Sequence, residues 1–393
     1  MRYKHRYITF LFLLPLAGVL TVCGGKSGSN AGPTTVNYSS LLTNLVENIA
    51  IPSAADFTNR TTSLQTATTE WCDRIEAGTT DATRTSIQAS YKAAVLSWQA
   101  LEVMQFGPLA SNNNTRRYEI YAWPLHHACG VDREVVAART SPYTLSTNTG
   151  RKGLSAVEYL IFDGDTDHAC TSDDASVASW AGLDTATRLA SRCGYLRLVV
   201  DDLVTRAGAL ETAWSEAKES FINSSADEGR ASLNAVADAL LYLDKEVKDV
   251  KLAQPAGISP ACKRDSCPAE TELVFSTYSR EAIRKNVETF DGLMKGANGE
   301  GLNSVISESL AGSITSLTSE FLASITNNAP GKTLEELATG LLPNDCSLST
   351  TSNRVAEICS LHKDLKKITD LLKGDFYEEL KLDLPKRVAG DSD

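Results

Sequence analysis

Residues 86–108 read SIQASYKAAVLSWQALEVMQFGP. Ile87, Tyr91, Ala94, Val95, Trp98, Leu101 and Gln105 fall at steps of three and four, the spacing that lines side chains along one helix face. Gly107-Pro108 breaks the run, since proline cannot continue a helix. The spacing recurs in Leu196, Val199, Val200, Leu203, Ala207, Leu210 and Trp214, and again in Leu233, Val236, Leu240, Leu243, Val247 and Val250. Val355, Ile358, Leu361, Leu365, Ile368 and Leu372 form a fourth stripe. Alternating, strand-like runs are nearly absent. Such stripes bury well only against other helices, so the expected fold is all-α, built of bundles with helices of roughly 18–25 residues.

Further breaks fall over Ser111 to Thr115, at Ser141-Pro142, and over Gly164 to Asp174. The last, Gln254-Pro255-Ala256-Gly257 through Pro268, contains Cys262 and Cys267 and is the best passage between two halves. The division expected is an N-terminal bundle over 37–254, a linker over 255–268 and a C-terminal bundle over 269–393. No residue-level repeat relates the halves.

Arg2, Lys4 and Arg6 precede an uncharged, mostly apolar run from Tyr7 to Val22, broken by Pro15 and Gly18. It is short for a membrane span and reads as a secretory signal over 1–22. Cys23-Gly24-Gly25 and the Gly, Ser and Asn residues up to 36 then resemble the lipid-bearing cysteine and flexible tether of a bacterial lipoprotein. Val22 is larger than the residue usual before such a cysteine, and cleavage leaving Cys23 as a spare thiol is the alternative. Gly24 in place of aspartate implies, by the same resemblance, outer-membrane anchoring, facing the periplasm or the cell surface.

The nine cysteines agree with export. If Cys23 carries lipid, eight remain, and disulfides belong to exported proteins. Eight cysteines allow about 105 pairings. Nearness in sequence suggests Cys262 with Cys267, Cys346 with Cys359 and Cys170 with Cys193, leaving Cys72 with Cys129. The formal charge of −11 becomes −14 once Arg2, Lys4 and Arg6 are removed. That argues against nucleic-acid partners and against electrostatic binding to anionic lipid.

Several separated segments resemble the imelysin family of iron-regulated bacterial surface proteins and metallopeptidases. The helix Trp98 to Pro108 is similar to the family's first long helix. Tyr121-Ala122-Trp123-Pro124-Leu125, with Cys129 and Asp132 beyond it, resembles the Trp-Pro that follows. Gly153-Leu154-Ser155-Ala156-Val157-Glu158 occupies the place of the family's Gly-x-His-x-x-Glu signature. Tyr278-Ser279-Arg280, with Asn286 and Gly292, resembles a second-half segment, and Leu365 to Pro385 the closing helix. The resemblance implies two helical bundles around a cleft, export, and an association with iron acquisition.

One substitution changes the chemistry. His and Glu three apart on a helix share a face and can share an ion, but here Ser155 stands at the histidine position. A serine hydroxyl is a poor zinc ligand and no base near neutral pH. The chain contains no HExxH, P-loop or GxSxG elbow. Glu102 and Glu158 lie within apolar helices, where a charge is costly unless paired or facing a cleft. The expected cleft comprises Glu102, Trp123, Ser155, Glu158 and Arg280. Glu102, Glu158 and His126 are the candidate ligands for a divalent metal or iron. The bland alternatives are a buried pair of Glu158 with Arg280, and a turn or capping role for His126-His127. Asp163, Asp165, Asp167, Asp173 and Asp174 read as a solvated loop held by Cys170, or as a calcium loop. Three readings stand: a binding protein working with iron-uptake or envelope partners, a divergent metallopeptidase, and a scaffold whose polar residues lock the bundles together.

Overall fold

The computed structural model describes residues 37–79, 83–223 and 228–386. The expected signal over 1–22 and the whole expected tether over 23–36, Cys23 included, lie outside the described residues. The helices are α1 (Ser39–Leu45), α2 (Ile51–Glu76), α3 (Thr85–Glu102), α4 (Ser111–Ile120), α5 (Ala128–Ala137), α6 (Gly153–Phe162) and α7 (Thr185–Ile222). They continue with α8 (Arg230–Leu240), α9 (Ser279–Lys295), α10 (Glu308–Asn327), α11 (Leu334–Ala338), α12 (Asp345–Leu348), α13 (Glu357–Leu371) and α14 (Tyr377–Leu380). No strand occurs among the described residues, and no helix among them is long and apolar enough to cross a membrane.

The periodic stripes become the core. Tyr91, Trp98, Leu101, Leu203, Leu210 and Trp214 are fully enclosed, and α2 packs along α3 and α7. α7 runs 38 residues, longer than the pattern length suggests. It packs on both α2 and α6, so contacts sustain it past Gly194 and Gly208. The later helices α9, α10 and α13 pack together, and α3 meets α9, so one hydrophobic core runs through both sets. From Asn37 onward the chain forms one compact unit. At the exit of α3 the backbone of Gly107 is left-handed (φ 54°), and an added Cβ would stand 2.7 Å from the Trp214 ring. The expected break at Ser111 to Thr115 is a left-handed turn through Asn112, Asn113 and Asn114 at the start of α4, a conformation asparagine tolerates.

The stripe from Leu233 to Val250 departs from its α-helical reading. After α8 the chain forms a π-helix over Leu243–Ala253. Its i→i+5 bonding widens the turn. The α-spacing expects Val250 inside, but the wider turn leaves Val250 half-buried and drives Lys251 into the core, with no exposed surface.

Lys251 is the hub of a buried polar network. Its Nζ lies 3.0 Å from Glu272 Oε2 and 3.3 Å from Glu102 Oε2, and donates to Gln99 Oε1 (2.7 Å) and Asn286 Oδ1 (2.9 Å). Tyr242 Oη donates to Glu102 at 2.5 Å, and Arg117 Nε approaches Glu102 Oε1 at 3.5 Å. Gln99 Nε2 and Tyr121 Oη both donate to Glu272 Oε1. Burial alone would raise the pKa of Glu102, but Lys251 and Arg117 hold it below the usual carboxyl value. Glu272 goes the other way: burial raises it despite Lys251.

Four disulfides staple the fold. Cys262–Cys267 and Cys346–Cys359 pair as nearness suggests. The other two expected pairs, Cys72 with Cys129 and Cys170 with Cys193, are not formed. Instead Cys72 on α2 bonds Cys193 on α7, and Cys129 on α5 bonds Cys170 in the aspartate loop. The packing of α2 along α7 brings together residues 121 apart in sequence, with Cα atoms 5.5 Å apart, and no sequence-distance rule anticipates that.

A non-reducing peptide map should recover Cys72–Cys193 and Cys129–Cys170. Replacing Cys72 and Cys193 together by serine should lower the unfolding free energy by about 3–5 kcal/mol, since the bridge closes a long loop. Lys251→Met should cost about 3–5 kcal/mol in urea unfolding, because it strands buried carboxylates. Adding Glu272→Gln should recover part of that loss.

Candidate functional site

α6 carries the signature-like segment. It starts at Gly153, whose backbone is left-handed (φ 71°) and whose added Cβ would stand 2.4 Å from the Ile120 carbonyl oxygen. Only glycine fits there, and it fixes where α6 begins. Ser155 and Glu158, three residues on, then share one face. Two further segments close around that face. The chain from Trp123 to Ala128 is pinned when the His127 N–H donates to the Gly150 carbonyl at 3.1 Å. The segment Thr271–Ser276 is anchored on one side by Glu272 and the Lys251 network. On the other, the Ser276 N–H and Oγ–H both donate to Glu158 Oε1 at 2.8 Å. Leu273 and Thr277 have positive φ (53° and 55°), sparsely populated for residues with side chains.

These segments enclose a cavity of about 510 Å³, lined by Trp123, His126, Ser155, Glu158, Glu270 and Phe275 among others. Ser155 and Glu158 are 3 % and 5 % exposed. The Ser155 hydroxyl and both His126 ring nitrogens have no hydrogen-bond partner among the described residues. Burial pushes the Glu158 carboxyl up to about 7; the Ser276 bonds oppose the rise and Glu272 adds to it. Burial, helped by His127, pulls the His126 imidazole down to about 4. Near neutral pH His126 is therefore neutral, with one nitrogen able to accept and the other to donate, and Glu158 is poised between acid and carboxylate. The Phe275 and Tyr159 rings stand 6.2 and 6.1 Å from the His126 ring and form an aromatic wall.

Of the residues singled out in the sequence, Trp123, His126, Ser155 and Glu158 line this cavity together, and Glu102 and Arg280 do not. Glu102 belongs to the Lys251 network. The Arg280 guanidinium donates to the carbonyls of Ile325, Asn328, Ala329 and Lys332 at 2.5–2.9 Å. It closes the end of α10 and forms no pair with Glu158, whose partner is Ser276. His127 caps α5, its Nδ1 accepting from the Gly130 N–H at 2.9 Å. Trp98, Trp180 and Trp214 are core, whereas Trp123 is half-buried at the cavity. Arginines engage carboxylates of the aspartate loop: Arg188 pairs with Asp167, Arg192 approaches Asp163, and Arg133 pairs with Asp174.

Metal donors in the cavity do not converge. Among the described residues, the one trio with donor atoms within 4.8 Å of one another is Cys129, Cys170 and Asp174. The two sulfurs of that trio are already joined as a disulfide. The cavity offers one neutral imidazole and the Glu158 carboxyl, with Glu270 engaged by Gln254 at the rim. Sequence reasoning missed Ser276, Phe275 and Glu270. They follow the expected linker in a segment without periodicity, and only the fold brings them to α6.

Comparison with known proteins agrees with this architecture. The sequence model of the imelysin (M75 peptidase) family matches residues 50–372. An imelysin-like protein from Psychrobacter arcticum 273-4 superimposes with a TM-score of 0.62 at 18% identity, over 88% of this chain and 96% of that one. A second solved structure, "a putative iron-regulated protein A precursor" from Parabacteroides distasonis ATCC 8503, superimposes with a TM-score of 0.63 at 15% identity, over 88% and 97%. No curated protein matches the sequence. With the family model spanning most of its length and an all-helical fold shared with such structures, the chain belongs to the imelysin family.

Proposed function

We propose that this imelysin family member is an exported binding protein, lipid-anchored through Cys23 at the outer membrane, whose cleft at Glu158 takes an iron or divalent-metal cargo in connection with iron uptake. The observation that carries the reading is the cluster of Ser155, Glu158 and His126. These are enclosed polar groups with unspent hydrogen-bonding capacity, facing a cavity of small-molecule size. The cysteine usage and the N-terminal sequence support export, and the relative described as iron-regulated supports the link to iron.

The donor set suits a metal that brings ligands of its own. A hydrolytic zinc centre takes three protein ligands and an open position, and here one imidazole and one carboxyl, bonded on a single oxygen by Ser276, are offered. Glu158 supplies a hard oxygen once ionised, His126 a neutral nitrogen, and Ser155 a hydroxyl for a ligand atom. Trp123 and Phe275 provide apolar walls. Chelated iron matches this mixture of coordination, hydrogen bonding and flat contact better than a bare ion.

The titration of Glu158 gives a stability test. Its folded pKa of about 7 stands above the ordinary 4.5. Below 4.5 the carboxyl is protonated in both states, and the contribution of the neutral buried group is fully present. As pH rises through 7 the unfolded chain has already released the proton, and the contribution is lost. Relative to Glu158→Gln, the wild type should lose about 3 kcal/mol between pH 4.5 and 8. The amide oxygen of glutamine still accepts from Ser276, so comparing the two isolates ionisation. A difference that stays flat with pH would contradict the assignment.

Calorimetric titration of the purified protein with iron(III) citrate, iron(II) and zinc tests the cargo. Binding should be one to one and should strengthen as pH rises toward 7, where Glu158 ionises. Glu158→Gln should weaken it at least tenfold while the melting temperature at pH 5 stays within a few degrees. Absence of binding by all three probes, or binding indifferent to Glu158→Gln, would remove the metal-cargo reading.

A further inference from the structure

A second cavity, about 610 Å³, begins one residue past Ser276, where Thr277 and Tyr278 line it. Its charged lining is four cations, Lys92, Arg280, Arg284 and Lys332, against one carboxylate, Glu281. That imbalance stands out on a chain of formal charge −11. Lys92 Nζ stands 4.7 Å from the centre of the Tyr278 ring, and neither Lys92 nor Lys332 forms an ion pair among the described residues. The Arg280 guanidinium is spent on neutral carbonyls, so no carboxylate offsets its charge. Arg284 is paired, with Glu288. α9 opens at the same place: Arg280 and Glu281 belong to its first turn, and no side chain caps its N-terminal N–H groups.

A concave wall that gathers positive charge draws anions more strongly than the same charges spread over a convex surface. Lysines held near one another repel, and an anion between them relieves the repulsion. The positive end of α9 adds to the field. We propose that this cavity binds a multiply charged oxyanion, of carboxylate or phosphate chemistry. Lys92 and Lys332 are its principal contacts, and Arg280 is the strut that shapes the wall. With Arg284 offset by Glu288, the four cations against Glu281 and Glu288 leave a net charge of two, which favours a ligand with two or three negative charges over chloride. The inference is independent of the Glu158 cleft and needs no metal.

The test is calorimetric titration of the purified protein with inorganic phosphate and with metal-free citrate, at low and at 0.5 M added sodium chloride. At least one should bind one to one, weaken in high salt, and lose at least tenfold in affinity in Lys92→Gln/Lys332→Gln. Whichever probe binds distinguishes a phosphate from a polycarboxylate ligand. The charge-retaining pair Lys92→Arg/Lys332→Arg should keep binding, and Glu158→Gln should leave it unchanged. Failure of both probes to bind at millimolar concentration, binding undiminished in the glutamine pair, or loss of binding on Glu158→Gln would overturn the proposal.

Discussion

An ammonium group with no access to water sits at the centre of this molecule, and much of the site depends on it. Lys251 is too costly to bury unless its charge is met, and two carboxylates and two side-chain carbonyls meet it. Those partners come from α3, α9 and the segment after the linker, so the lysine ties together elements far apart in sequence. Such a network is strong only when complete, because removal of one member strands the others in low dielectric. Its position follows from the π-helical stretch, since an ordinary α-turn would present Val250 instead.

The cleft inherits its shape from that network. Glu272 is fixed by Lys251, Gln99 and Tyr121, and four residues later Ser276 reaches Glu158. The wall of the cavity is thereby held at both ends by polar contacts, with left-handed Leu273 bending the chain between them and left-handed Thr277 turning it just past Ser276. Glu158 receives two hydrogen bonds and no cation. Burial consequently dominates its chemistry and brings it near neutrality. Glu102, equally buried, meets Lys251 and Arg117 and stays ionised. Two glutamates in apolar helices thus have opposite roles, one a strut and the other a group able to meet a ligand.

Residue spacing alone made the all-helical fold legible, because apolar residues at steps of three and four fall on one face only when the chain is helical. Gly107 and the asparagine run announced real turns. Half of the site was legible too, through the family resemblance: Ser155 and Glu158 at the place of the Gly-x-His-x-x-Glu signature, Trp123 in the Trp-Pro segment and His126 just past it. The misplaced residues share a physical cause. Glu102 looked like a cleft carboxylate because two of its partners, Lys251 and Tyr242, lie roughly 150 and 140 residues away in sequence. Arg280 looked like a partner for Glu158, but helix-end carbonyls compete for guanidinium donors, and those of α10 are nearer. The pairing of Cys72 with Cys193 likewise depends on which two long helices lie side by side.

The central claim is that the cleft at Glu158 holds the cargo. The most direct measurement is crystallographic: crystals of the protein soaked with iron(III) citrate, with anomalous difference maps collected above and below the iron edge. An iron peak inside the cavity, in coordinating contact with Glu158 or His126 and with citrate density against Trp123 and Phe275, is the expected result. A well-occupied peak elsewhere with the cleft unchanged, or no peak in crystals of a protein that binds iron in solution, would contradict it.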